Sequence, residues 1–187
     1  MLGAVGRSGK VPMRGTVRRP HPGLPARAVR DDRAAAIWLV GCHGGAGATT
    51  LAALIGVRDA GRCWPVPRTG RANVVLVAHP DAPGMRAVHV AARQHAEYPA
   101  LSAGINLLGL VLNSWAPGRL PRDLRQLRES LGAAVPQVWE VEYIEALRLG
   151  RSPSEVGRLP RSLRVLRRDL VNEGWVSSLQ RINREGD

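Results

Sequence analysis

Phenylalanine is missing from this chain altogether, lysine occurs once, as Lys10, and cysteine twice, as Cys42 and Cys63. Two cysteines without metal-ligand spacing exclude a disulfide framework and a zinc ribbon, and a reduced, cytoplasmic protein is the expectation. No apolar run approaches the roughly 20 residues of a membrane-spanning helix. The arginines near the start precede no apolar segment, so a signal peptide is not expected. Acidic side chains are also scarce, 15 against 27 basic ones, for a formal charge of +12. Arginine supplies nearly all of that charge, and Ala, Gly and Pro are abundant. This profile resembles that of a high-GC genome, which would ascribe part of the basicity to codon usage. The charge still implies weak attraction to nucleic acid or acidic partners at low salt. No paired-carboxylate arrangement stands out. His89 and His95 face different ways on one helix, and adjacent Cys42 and His43 point apart with no third group to orient them. No catalytic residue is assigned.

What is present is organised around Ala36 to Ile55, AIWLVGCHGGAGATTLAALI. The apolar run Ile37–Val40 has the length of one buried strand, Gly41 to Gly47 form a glycine turn, and Thr49-Thr50 with Leu51–Ile55 open a helix. Strand, glycine loop and helix start together make an anion cradle: the backbone can approach a phosphate, and successive N–H groups point at it. A threonine at the end of such a loop can place its hydroxyl on a phosphate-bound magnesium. The bland alternative is a tight strand-to-helix turn and nothing more.

The run Cys42-His43-Gly44-Gly45-Ala46-Gly47-Ala48-Thr49-Thr50 resembles the deviant Walker A loop of the ParA/MinD family of P-loop ATPases, G-K-G-G-x-G-K-T-T. The glycines and both threonines match in register. The lysine that reaches across a dimer interface in that family is His43 here, the lysine that holds the outer phosphates is Ala48, and the opening glycine is Cys42. The resemblance implies a cofactor site at Gly44, Gly45, Ala46, Gly47, Ala48, Thr49 and Thr50, with Thr49 on the metal if Mg-nucleotide binds.

Residues 1–33 read as a disordered Pro/Gly/Arg tail, eight bases against two acids, followed by an α/β domain over 34–175 and a frayed end over 176–187. Val57 to Gly70, rich in Arg, Gly and Pro, reads as a long surface loop, with Asp59 in a polar run that no β segment precedes. The strand that would carry the family's magnesium aspartate is therefore not found. Val74–Ala78 is a strand, and an amphipathic helix carrying Met85, Val88, Ala92 and His95 follows it. Asp81 reads as that helix's N-cap rather than as the metal aspartate. The segment Val77-Ala78-His79-Pro80-Asp81 is similar to the family's V-T-x-P-E strand.

Leu107–Asn113 is the third strand and is similar to the family's G-x-V-x-N strand, which implies that Asn113 reads the adenine edge. Leu120, Leu124, Leu127 and Leu131 mark a core helix, and Val135–Val141 a fourth strand on the sheet edge. Ser152 to Glu155 has capping-box spacing. Leu163, Leu166 and Leu170 mark a last helix with Arg161, Arg164, Arg167 and Arg168 on its other side. Strands alternating with helices predict a three-layer α/β sandwich with a small parallel sheet of about four strands, the loop-bearing strand first and the others successively beside it.

Two functions follow. One is a degenerate ParA/MinD-like protein that binds ATP or another nucleotide weakly with magnesium and hydrolyses little of it; the resemblance implies plasmid or mobile-element maintenance, or positioning, and a possible homodimer. The other is an interaction module without cofactor, in which the arginine-rich tail and last helix bind nucleic acid or a partner ATPase. An active ATPase with Arg86 or Arg148 replacing the lysine is a third alternative.

Overall fold

Residues 23–29 and 36–171 are described by the computed structural model. In chain order they form β1 (Ala26–Val29), β2 (Ile37–Gly41), α1 (Ala48–Ile55), β3 (Arg58–Asp59), β4 (Trp64–Pro67), β5 (Ala72–Ala78) and α2 (Ala82–Glu97). There follow α3 (Pro99–Gly104), β6 (Ile105–Asn113), α4 (Arg122–Gly132), β7 (Val138–Val141), α5 (Glu145–Arg148), a 3-10 turn (Pro153–Glu155) and α6 (Arg161–Val171). The main sheet is parallel and has five strands, in the order β3-β2-β5-β6-β7. The fold is a three-layer α/β sandwich, with the extra strand, β3, lying on the far side of β2.

Alternation along the strands builds the two outer layers, because successive side chains point to opposite faces. Val74, Leu76 and Ala78 of β5 join Met85 and Val88 of α2 and Leu131 of α4 in one core. Val75 and Val77 join Leu51 and Ile55 of α1 and Leu163, Leu166 and Leu170 of α6 in the other. The leucine stripe of the last helix is thus buried, as its spacing predicts, and Arg161, Arg164, Arg167 and Arg168 are exposed.

Two readings of the sequence are corrected. The segment read as a surface loop, 57–70, contains β3 and β4. The stretch read as a tail, 1–33, contributes β1, which pairs in parallel with β4; its other residues lie outside those described, except Gly23 to Pro25. The frayed end, 176–187, also lies outside them. Pro65 and Pro67 hide β4 from a propensity reading, since proline cannot donate to a ladder. They are tolerated because they alternate. Trp64 N–H donates to the Pro25 carbonyl at 2.8 Å, so the donor positions facing β1 are Trp64 and Val66, and both prolines face away.

The β1–β4 pair is fastened to the core through one glutamine. Gln94 of α2 accepts from the Leu24 N–H (2.8 Å) and the Trp64 indole N–H (3.1 Å) and donates to the Leu24 carbonyl (2.9 Å). Trp64, expected on a surface loop, is fully buried.

Candidate phosphate and metal site

The loop between β2 and α1 sits where the chain changes direction across the sheet. From β2 the chain passes through α1 to β3 on one side; from β5 it passes through α2 and α3 to β6 on the other. The two connections cover opposite faces. This is a topological switch point, and the crevice at the carboxyl ends of the strands there is where open α/β sheets bind ligands.

Glycine is required in the loop by backbone geometry. Gly45 and Gly47 have φ of 77° and 88°, values that side chains disfavour by about 1–2 kcal/mol. A Cβ on Gly47 would also lie 2.3 Å from Asn113 Nδ2. Gly47 is the N-cap of α1 and no side chain caps that end, which leaves the first-turn N–H groups free for an outside acceptor. The loop encloses a cavity of about 300 Å³ lined by Gly41, His43 to Thr50, Gly61 and Arg62.

All the residues expected at a cofactor site are brought together. Gly44, Gly45, Ala46, Gly47, Ala48, Thr49 and Thr50 line the cavity. Asn113 braces it from beneath, its Nδ2 donating to the Ala46 carbonyl at 3.1 Å. Asp81 caps α2 by accepting from the Gly84 N–H at 2.7 Å, in accord with the N-cap reading. Arg86 and Arg148 do not line the cavity.

His43, where the resembling family carries a lysine that reaches a partner, is turned inward. Its Nδ1 lies 2.9 Å from the Gly44 carbonyl and its Nε2 accepts from the His79 N–H at 3.1 Å. That pattern assigns a proton to Nδ1 and leaves Nε2 as the acceptor. His79 in turn places Nδ1 at 2.9 Å from the Asn113 carbonyl. Two histidines and an asparagine therefore tie the loop to the ends of β5 and β6.

The residue the sequence reading passed over is Asp59. It ends β3, whose register sets Trp38 opposite Arg58 and Leu39 opposite Asp59. Backbone bonds hold the strand in place, Ala60 N–H to Leu39 carbonyl (2.9 Å) and Gly41 N–H to Gly61 carbonyl (2.8 Å). The Thr49 hydroxyl donates to Asp59 Oδ2 at 2.6 Å, and Oδ1 accepts from the Gly61 N–H at 2.7 Å. A strand of two charged residues has no apolar run to announce it. The available signal was Asp-Ala-Gly soon after a glycine-ended helix, a turn-forming sequence.

Hydroxyl and carboxylate together beside a glycine loop are a hard oxygen pair of the kind magnesium takes. That ion normally uses one or two carboxylates together with substrate phosphates and water. Among the described residues, no group of three or more His, Cys, Asp or Glu side chains stands at metal spacing. Cys42 offers nothing here: burial pushes its thiol up to about 12. In native protein near pH 7, a maleimide reagent is therefore expected to label Cys63 and spare Cys42, checked by intact-mass analysis and peptide mapping; both should label in denaturant.

Residues 35–165 match a family described as of unknown function, DUF6668. The chain belongs to that family. Comparison of this DUF6668 member with curated proteins and with solved structures gave no match. Among the described residues, no helix is long and apolar enough to cross a membrane.

Proposed function

We propose that this DUF6668 chain binds the phosphate tail of a nucleotide together with magnesium at the Cys42–Thr50 loop and hydrolyses it little or not at all. The observation that carries this reading is the Thr49–Asp59 hydrogen bond of 2.6 Å beside the glycine loop. The loop supplies backbone donors for phosphate, and the bonded pair supplies oxygens for the metal that accompanies it. Bound there, magnesium would neutralise phosphate charge, with Thr49 and Asp59 holding it. The resemblance to ParA/MinD ATPases supports the same reading. Little hydrolysis is inferred because the two lysine positions of the resembling family are filled by His43 and Ala48.

The test is calorimetric titration with ATP, ADP and GTP, with and without magnesium, alongside Gly47→Val. Micromolar magnesium-dependent binding is expected in the wild type and its loss in the variant. The strained φ and the contact with Asn113 together forbid valine at position 47 without displacing the loop. Absence of heat with every nucleotide would overturn the reading.

A second reading is an interaction module, favoured by one observation. Arg161, Arg164 and Arg167 project from α6 into solvent without a side-chain partner among the described residues. Salt-sensitive retention on DNA, lost when these three are neutralised, would support it. A truncation used in that experiment should end at residue 22, since Leu24 and β1 belong to the core.

A further inference from the structure

The loop's missing lysines leave a question of charge. A phosphate tail brings several negative charges, and helix-terminal N–H groups supply only about half a positive one. Arg62 answers it. Arg62 follows the Asp59–Gly61 turn at the end of β3 and lines the same cavity as Gly44 to Thr50. Among the residues lining that cavity it carries the only permanent charge. Its side chain is exposed and has no hydrogen-bond or ion-pair partner among the described residues, so no carboxylate competes for it. The turn that presents it is fixed at two points, Gly61 N–H to Asp59 Oδ1 (2.7 Å) and Gly41 N–H to Gly61 carbonyl (2.8 Å).

We infer that Arg62 is the phosphate-binding cation of this site, supplied from the strand beside the loop in place of a lysine within it. The inference rests on the nucleotide reading above and names the residue that makes that reading electrostatically workable. The chemistry differs from a lysine's in a testable way. A guanidinium offers a planar fork of donors that can engage two oxygens of one phosphate, whereas an ammonium acts as a point charge. A triphosphate carries more negative charge than a monophosphate, so the contribution of Arg62 should be larger for ATP than for AMP.

The experiment is calorimetry of the full chain with magnesium and ATP or AMP, comparing wild type, Arg62→Ala, Arg62→Lys and Arg68→Ala. Arg68 is exposed in the following loop and does not line the cavity, so its removal changes the net charge equally without touching the site. Arg62→Ala is expected to weaken ATP binding tenfold or more and AMP binding less than threefold. Arg62→Lys should recover part of the loss, and Arg68→Ala should match wild type. Unchanged circular dichroism and melting temperature are expected for all three variants. Wild-type binding with Arg62→Ala equal to it would overturn the inference and leave the nucleotide reading standing. Equal losses in Arg62→Ala and Arg68→Ala would overturn it in favour of a general field. No binding by the wild type would overturn both.

Discussion

Asp59→Asn is expected to erase the advantage that magnesium gives to nucleotide binding. Around the loop, the formal charges of Arg62 and Asp59 sum to zero, which leaves only the local pull of Arg62 and the loop N–H groups on an anion. A divalent cation held by Asp59 and Thr49 changes that sum to +2. Two unit charges about 4 Å apart at an effective dielectric of about 20 interact by about 4 kcal/mol before desolvation. Retaining a third of that, about 1.4 kcal/mol, is already tenfold in affinity. Wild type should therefore bind Mg-ATP more than tenfold tighter than ATP in chelator. In Asp59→Asn that ratio should fall to about one, with the metal-free affinity unchanged or raised because a repelling carboxylate has gone. Thr49→Val should reduce the ratio through loss of one ligand oxygen. The same contrast is readable by melting. Ligand at 100 times its Kd stabilises by about 2.7 kcal/mol, worth roughly 5–10 °C in a chain of this size. A full magnesium advantage in Asp59→Asn would show that another group holds the metal.

Trp64→Ala is expected to be the most destabilising single change in the segment once read as a loop. The side chain is fully buried, its ring lies 5.8 Å from that of His95, and its indole N–H donates to Gln94. Truncating a buried aromatic costs about 3–5 kcal/mol, which corresponds to a fall of roughly 6–20 °C in Tm. Trp64→Phe keeps most of the volume but not the donor and should cost less. Amide exchange should locate the damage, with protection lost first at Leu24 and along β1. A Trp64→Ala protein within 1 kcal/mol of wild type by urea unfolding would mean that the β1–β4 pair contributes little to the core.

Trp64 and Asp59 also mark where the sequence could be read and where it could not. β2, β5 and β6 were legible because each carries an uninterrupted apolar run, as strands buried on both faces do. α4 and α6 were legible from leucines at helical spacing, although Leu120 lies before α4, which Pro121 N-caps. The capping-box spacing of Ser152 and Glu155 is realised in a 3-10 turn, with the Ser152 N–H donating to Glu155 Oε2 at 2.7 Å. The glycine loop was legible residue by residue, since only certain residues suit its backbone. β3 was not, because two charged residues at a sheet edge are defined by the strand they lie against and carry no pattern of their own. Nor was β4, whose prolines argue against a strand until one sees which side they face. The site's loop half could thus be read locally, while Asp59 and Arg62 came from a tertiary pairing that spacing does not encode.

The alternation of Pro65 and Pro67 has a consequence beyond local fit. The outer side of β4 keeps its carbonyls but has no N–H to give at either proline, so an incoming strand would find acceptors without donors and could not complete a ladder. The small parallel pair is thereby closed to growth from that side. One route by which copies of the protein could stack edge to edge is removed with it.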